Sequence, residues 1–268
     1  SGEAWLAIND NVTIEWVGSD VTSGIVTSGI LSAEVKYCYW ENIVSEEAAK
    51  LSWPEEFGNS NTITLTISDE NNEGFYYFYP ILVDDAGNPS DDILCPEKKD
   101  ERLAFDRTQP EANIQPGING KFAYNSDALI SLSMSDNIEL KDMVLRYGYN
   151  EGFDEGLPDS SFSDDNPPVI SIIDLSDNIA YEDGVNFVFP DGQGTYRFFL
   201  QVDDKNPTSQ PIEAKLTLIY DTEAPVSQIV FGGEGTDITN LESYPVDCEA
   251  IDSNHEVDKV YLYYRYKE

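Results

Sequence analysis

Basic residues are scarce in this sequence of 268 residues, where 15 lysines and arginines stand against 51 aspartates and glutamates. The formal net charge of −36 repels other polyanions at long range, so we expect no nucleic-acid partner and no attraction to an anionic membrane surface. Three explanations of the surplus acid stay open. They are solubility in high salt, neutralisation by bound divalent cations, and a generally acidic secreted surface.

The usual parts of catalytic sites are also missing. There is one histidine, His255, and the sequence contains no GxSxG, HExxH, P-loop or dinucleotide-binding motif. Because carboxylates are so frequent, their number alone leaves open the alternative of a glycosidase with a pair of catalytic carboxylates. Because similar acidic turns occur twice, however, we expect a repeated structural role and no enzymatic activity.

Long apolar runs and cysteine pairs are equally rare. No run of about 18 apolar residues and no signal peptide occurs, so we expect no direct membrane insertion. The three cysteines, Cys38, Cys95 and Cys248, show no CxxC spacing. Cys38 and Cys95 fall within one repeat and are either bridged or free, and both alternatives stay open.

Aromatic residues, at 12%, are abundant, and they concentrate in a stretch that occurs twice. Residues 74–90 read GFYYFYPILVDDAGNPS, and residues 194–208 read GTYRFFLQVDDKNPT. Each stretch begins with a glycine, continues through an aromatic segment and ends in an acidic turn. Such segments suit a pleated, half-buried surface, and short alternating runs recur throughout the chain, so the pattern predicts an all-β fold.

Further repeated motifs place the repeat boundaries. The pattern apolar-x-Tyr-x-Tyr-x-Glu occurs at 35–41, 145–151 and 262–268, and related linkers occur at 105–110 and 220–225. We therefore predict one repeat over 1–107, a second over 108–222, and an incomplete third over 223–268. Each full repeat contains about seven short strands, as in an immunoglobulin-type β-sandwich. We also predict a helical turn near Ser45–Lys50 and a long exposed loop over Asn150–Pro168.

These motifs resemble those of a known family. Gly-x-Tyr before an apolar strand that ends in Val-Asp-Asp-Ala-Gly-Asn-Pro-Ser, together with the linker Asp-Thr-Glu-Ala-Pro, is similar to immunoglobulin-like or fibronectin type III-like repeats of large prokaryotic surface proteins. The resemblance covers the whole chain as two and a half repeats. It implies tandem immunoglobulin-like β-sandwiches, a secreted or cell-surface location, and other repeats as partners.

The expected topology gathers acidic residues at the poles where repeats meet. The turns after strands two and six lie beside the incoming linker, and Ca²⁺ takes six to eight oxygen ligands of this kind. We therefore predict Ca²⁺ as a junction cofactor, while plain turn chemistry stays open as the alternative. The first junction contains Asp106, Asp136, Asn137, Asp203, Asp204 and Asn206. The next junction contains Asp221, Glu223, Asp252, Asn254 and Asp258. The free end of the first repeat contains Asp20, Asp84, Asp85 and Asn88.

The alternating tyrosines are predicted to face the core, as at Tyr37, Tyr39, Tyr147 and Tyr149, with a sugar-stacking platform as the alternative. The sequence thus favours a non-catalytic extracellular array, serving as a stalk, adhesin segment or surface-layer component. Two alternatives stay open. One is a carbohydrate-binding module of a secreted enzyme that contacts glycans or cell-surface proteins. The other is a filament subunit, in which a neighbouring chain donates strands to the third repeat.

Overall fold

The computed structural model describes residues 4–6, 10–15, 21–22, 25–26, 30–45, 49–53, 62–68, 70–90, 94–96, 102–117, 123–124, 126–162, 167–231, 246–252, 257 and 259–263. Within these ranges the fold is all β apart from a 3-10 turn at Asp159–Ser161, which confirms the predicted fold class. No helix in the described part of the chain is long and apolar enough to cross a membrane.

The first sandwich is formed by nine strands. They are β1 (Ala4–Leu6), β2 (Asn11–Glu15), β3 (Val21–Thr22), β4 (Ile25–Val26), β5 (Ile30–Trp40), β6 (Ala49–Ser52), β7 (Thr62–Thr66), β8 (Gly74–Asp84) and β9 (Leu103–Phe105). One sheet has the order β1-β9-β8-β5-β6, β2 pairs with β7, and β3 pairs with β4. Ile63 and Leu65 of β7 are buried in one cluster with Val35, Tyr76 and Phe105 of the larger sheet, so the apolar faces of the sheets form the core.

The second sandwich is formed by eight strands. They are β10 (Glu111–Pro116), β11 (Ala123–Tyr124), β12 (Ala128–Ser135), β13 (Leu140–Asn150), β14 (Val169–Asp174), β15 (Ala180–Phe187), β16 (Gly194–Asp204) and β17 (Ile212–Tyr220). Its sheets have the orders β10-β12-β15 and β11-β17-β16-β13-β14. Every second residue of β12 is buried, because alternate side chains of a strand point to opposite faces.

The two larger sheets have equivalent strand orders, each with one parallel pair at the same place, β1 with β9 and β11 with β17. The tyrosine near the start of the long central strand also makes the same hydrogen bond in both sandwiches. The Tyr196 hydroxyl donates to the carbonyl of Gly192 at 2.8 Å, and the Tyr76 hydroxyl donates to the carbonyl of Asn72. This backbone contact four residues upstream is the tyrosine corner of immunoglobulin-like sandwiches.

The first position of each repeated stretch requires glycine because of the backbone conformation there. Gly74 has φ 149° and Gly194 has φ 147°, a region that side chains with a Cβ rarely adopt. A Cβ on Gly74 would lie 2.4 Å from the carbonyl oxygen of Trp40, and one on Gly194 would lie 2.4 Å from that of Asn150.

Strand pairing corrects the alignment of the two acidic endings. Asp84 lies opposite Ile30 at the end of β8, and Asp204 lies opposite Leu140 at the end of β16. The two stretches therefore match residue for residue from their glycines, and Asp84 corresponds to Asp204. Aligning the Val-Asp-Asp letters matches Asp84 to Asp203 instead, which is one residue away from the structural correspondence.

A hairpin follows the second sandwich. It consists of β18 (Val226–Phe231) and β19 (Val246–Ile251), paired antiparallel as β10 and β12 are. Val226, Ile229 and Ile251 are exposed in this hairpin, and the thiol of Cys248 is free and exposed.

Two local predictions differ from the structure. Residues 49–52 form β6 rather than a helical turn, and the Ser45 hydroxyl donates to Oδ1 of Asn42 rather than capping a helix, while residues 46–48 lie outside the described residues. The loop over Asn150–Pro168 is anchored rather than wholly exposed. Arg197 donates to the carbonyls of Leu157 and Glu155 at 2.7 and 2.9 Å, and Phe162 is buried.

Candidate metal centre between the two sandwiches

The two sandwiches are joined by an apolar contact. Ile138, in the turn after β12, is buried in a cluster whose other buried members belong to the first sandwich and include Trp40, Phe75 and Tyr79, and the partly buried Ile179 of the second sandwich packs against it. The backbone N–H of Ile43 donates to the carbonyl of Ile138 at 3.1 Å. A side chain of one sandwich thus completes the core of the other.

Glu73 adds polar contacts around this apolar centre. Its carboxylate accepts hydrogen bonds from Arg107 Nε at 2.9 Å, from the Thr108 hydroxyl at 2.8 Å and from Asn137 Nδ2 at 2.5 Å. Glu73 therefore connects the end of the first sandwich to the linker and to the turn after β12. Glu73 is not among the residues predicted from the sequence, because its position before the repeated glycine carries no signal of a distant partner.

Three aspartates from separate elements meet beside this joint. Asp106 follows β9, Asp136 follows β12, and Asp204 ends β16. One carboxylate oxygen of each residue lies within 4.8 Å of one oxygen of each of the other two. The residues are only 3%, 8% and 5% exposed, respectively.

Each aspartate uses one oxygen to hold its own turn. Oδ1 of Asp106 accepts from the N–H of Thr108 at 3.0 Å, and Oδ1 of Asp204 accepts from the N–H of Asn206 at 2.8 Å. Oδ1 of Asp136 accepts from the N–H groups of Ile138 and Glu139, both at 2.8 Å. Oδ2 is buried in all three residues and has no hydrogen-bond partner among the described residues. Half of each carboxylate is thus satisfied and half is not.

The surroundings disfavour negative charge on these groups. Burial raises the pKa of Asp106 to about 8, and the nearby Asp136 adds to this shift. Burial also raises the pKa of Asp136 to about 6, although the N–H groups that it accepts from lower the pKa in part. Burial raises the pKa of Asp204 as well, against the lowering effect of the Asn206 N–H. A bound cation would reverse this balance by stabilising the ionised carboxylates.

Glu139 is a further buried carboxylate near the junction, and it is not among the residues predicted from the sequence. Its Oε1 accepts from the N–H of Asp177 at 3.0 Å and lies 3.5 Å from Lys205 Nζ, whereas Oε2 has no hydrogen-bond partner in the described structure. Its spacing of three residues from Asp136 was the available signal, but that spacing also fits an ordinary surface turn.

The other residues predicted at this junction have different contacts. Asn137 donates to Glu73, and Asp203 lies 3.4 Å from Lys141 Nζ. Asn206 donates from Nδ2 to the Asp106 carbonyl at 2.9 Å, while its Oδ1 accepts from Thr208. Asn206 thus links the linker to the second sandwich, and its side-chain oxygen is already engaged.

The two other predicted groups are not brought together among the described residues. Asp84 is partly buried, Asp85 and Asn88 are exposed, and Asp20 lies outside the described residues. The N–H of Glu223 donates to Asp221 Oδ1 at 2.8 Å, which is an ordinary turn contact. Asp252 belongs to no group of three close ligand atoms in the described part of the chain, and Asn254 and Asp258 lie outside that part.

The alternating tyrosines face inward, as predicted. Tyr37 and Tyr39 pack against the first core cluster and Tyr147 and Tyr149 against the core of the second sandwich. Of the tryptophans, Trp40 and Trp53 are buried and Trp5 is partly buried, while Trp16 lies outside the described residues. The described tryptophans therefore form no exposed sugar-stacking platform.

Neither family models nor curated proteins give a match to this sequence. Among solved structures, a two-domain fibronectin type III segment of chicken tenascin has a TM-score of 0.31 at 12% identity, over 78% of this chain and 93% of that chain. CBD12 from CALX1.2 has a TM-score of 0.21 at 11% identity, over 78% of this chain and 81% of that chain. Escherichia coli alpha-2-macroglobulin activated by porcine elastase has a TM-score of 0.25 at 14% identity, over 86% of this chain and 22% of that chain. These values are too low to support a family or a function. The β-sandwich fold follows from the strand pairing itself.

Proposed function

We propose that this chain is a non-catalytic structural segment of an extracellular repeat array, such as a stalk, an adhesin segment or a surface-layer component. The observation that carries the proposal is the burial of Ile138 in the core cluster of the first sandwich. A flexible connection between independent domains needs no shared core, whereas a segment that holds other parts at a distance needs a fixed angle between repeats.

The disulfide bond supports a secreted or cell-surface location. Cys38 is bonded to Cys95, with their Cα atoms 5.8 Å apart. Such bonds persist in oxidising compartments and are rare in the cytosol. Since the second sandwich has no cysteine, the bond adds stability to the first repeat and is not needed for the fold as such.

Small-angle X-ray scattering of the chain in solution tests the fixed joint. We expect one narrow distribution of intramolecular distances for the wild type, in chelator as well as in calcium. Ile138→Asp should broaden that distribution while both sandwiches remain folded, and Ile172→Asp, at a position 67% exposed in β14, is the matched control. A wild-type chain that samples many angles between its sandwiches in both conditions would refute the proposed role.

The exposed hairpin favours a second candidate, which is assembly into a filament by strand donation. β18 and β19 repeat the pairing of β10 and β12, but Val226 and Ile251 remain exposed, whereas the alternate residues of β12 are covered by the other sheet. Sedimentation at increasing concentration separates this candidate from a monomeric segment, because a strand-donated filament lengthens with concentration.

A further inference from the structure

We propose that Asp106, Asp136 and Asp204 form one Ca²⁺ site that ties the linker of the first sandwich to two turns of the second. The proposal rests on the three buried Oδ2 atoms without hydrogen-bond partners and on their carboxylates' mutual distances. The consequence that Ca²⁺ stiffens the joint between repeats rests on the proposed function, whereas the Ca²⁺ site itself does not.

The distances suit a single cation. Ligand oxygens that share one Ca²⁺ at about 2.3–2.6 Å lie no further apart than about twice that distance. The separations of up to 4.8 Å among Asp106, Asp136 and Asp204 meet this condition. The three residues are at least nine-tenths buried, so water cannot solvate their unpartnered oxygens freely.

The donor set favours a hard cation. Only carboxylate oxygens meet at the site, with no histidine or cysteine among the grouped ligands, whereas Zn²⁺ sites are usually built from nitrogen and sulfur. Ca²⁺ accepts carboxylates in irregular geometry, while Mg²⁺ demands near-ideal octahedral geometry at shorter distance. Three carboxylates from three unconnected turns therefore fit Ca²⁺ better.

One of the three aspartates borders an open groove, and all three have firm support. The groove, of about 650 Å³, is lined partly by Asp106, Thr108 and Asn206. The Oδ1 contacts to backbone N–H groups fix each carboxylate before any cation binds. Such supporting contacts orient metal ligands and limit the entropy lost on binding.

Asp84 offers a control within the same chain. It is the counterpart of Asp204, but it is only partly buried, and its Oδ2 accepts from Asn88 Nδ2 at 2.8 Å. The turn chemistry is thus present at Asp84 without the buried, unpartnered oxygen. Asp84→Asn should leave cation binding unchanged.

Calorimetric titration of chelator-stripped protein tests the site, with Ca²⁺ in one arm and Mg²⁺ in the other. We expect one saturable Ca²⁺ site with a Kd of about 1 mM or below, weaker Mg²⁺ binding, and a higher melting temperature in calcium. Asp106→Asn should weaken binding more than about tenfold, because it removes one of three charged ligands. Its amide oxygen can still accept from Thr108, so we expect it to melt in chelator at least as high as the wild type.

If Asp106→Asn does not fold, Asp204→Asn replaces it, and the wild-type titration stands regardless of either variant. Absence of saturable Ca²⁺ binding to the wild type would overturn the proposal, as would binding that the site variant leaves unchanged. A fixed joint in scattering without Ca²⁺ binding would overturn this inference alone. Ca²⁺ binding to a chain with a flexible joint would overturn the proposed function alone.

Discussion

Asp84 and Asp204 end equivalent strands of the two sandwiches and differ in nearly every physical property. Asp84 is only partly buried, and both of its oxygens accept hydrogen bonds within its own turn. The Asn88 amide that it accepts from holds the pKa of Asp84 below its usual value. Asp204 satisfies one oxygen in the same way, but burial leaves the other without a partner and raises its pKa.

The difference comes from what packs on each turn. The second sandwich receives the linker with Asp106 and places Ile138 in the core of the first, and the Asp204 side chain is buried beside Asp106 and Asp136. The turn at Asp84 is only partly buried at Asp84 itself and exposed at Asp85 and Asn88. Turn chemistry and a candidate cation site are therefore not exclusive alternatives, since the same local turn serves both once a neighbour buries it.

The largest expected effect concerns the apolar joint. Ile138→Ala should cost about 2–5 kcal/mol of unfolding free energy, because it empties a fully buried site. All four tryptophans, Trp5, Trp16, Trp40 and Trp53, lie in the first repeat, so tryptophan fluorescence during urea unfolding reports that sandwich. We expect Ile138→Ala, although it lies in the second sandwich, to lower the urea midpoint that tryptophan fluorescence detects.

The control for this variant is Ile172→Ala on an exposed face, which should change the unfolding free energy by no more than about 0.5 kcal/mol. An unchanged tryptophan-detected midpoint in Ile138→Ala would show that the two sandwiches are not coupled through this side chain.

The next effect is a dependence of stability on pH in the presence of chelator. The pKa of Asp106 is raised to about 8 and that of Asp136 to about 6, so the folded chain binds protons that the unfolded chain has released. Stability should therefore fall as pH rises, by about 2–3 kcal/mol between pH 6 and pH 8.

Chemical unfolding at a series of pH values measures this slope, and the double variant Asp106→Asn/Asp136→Asn should flatten it. Excess Ca²⁺ should reduce the slope in the wild type, since the cation binds the ionised carboxylates. A stability that rises between pH 6 and pH 8 in chelator would contradict the assigned burial of these groups.

The smallest expected effect concerns the polar contacts around the joint. Glu73→Gln should cost about 0.5–1 kcal/mol, because the pair with Arg107 is partly exposed. The cost should shrink in high salt, which screens exposed charges. Glu213→Gln, which removes an exposed partner of Lys215, is the matched control and should change little. If Glu73→Gln and Glu213→Gln lost the same unfolding free energy in urea, Glu73 would have no special role at the joint.

Much of the β architecture could be predicted from local patterns. The strands Ala128–Ser135 and Ile212–Tyr220 are examples, because their alternation of apolar and polar residues is strong. The residues 45–50 were less predictable, since a helix-favouring sequence there ends in the strand β6. An edge strand gains its hydrogen bonds from β5, and tertiary pairing outweighs a weak helical propensity.

The candidate site could be predicted only in part. The acidic turns and the junction could be predicted because turn residues and repeats leave clear patterns in the sequence. Asp106, Asp136 and Asp204 were among the residues that these patterns predicted. They could not separate these residues from Asn137, Asp203 or Asn206, whose side chains bind other groups. Neither Glu73 nor Glu139 could be selected, because their partners are distant in sequence.

By itself, the sequence determined that the chain forms repeated β-sandwiches with an acidic turn after each long central strand, because periodicity and turn residues act locally. Only the tertiary structure decided which acidic turn is buried, which oxygen of each carboxylate lacks a partner, and that Ile138 belongs to the core of its neighbour. Burial is a property of the whole assembled chain, and it separates Asp204 from Asp84 although the two residues have the same place in the repeat.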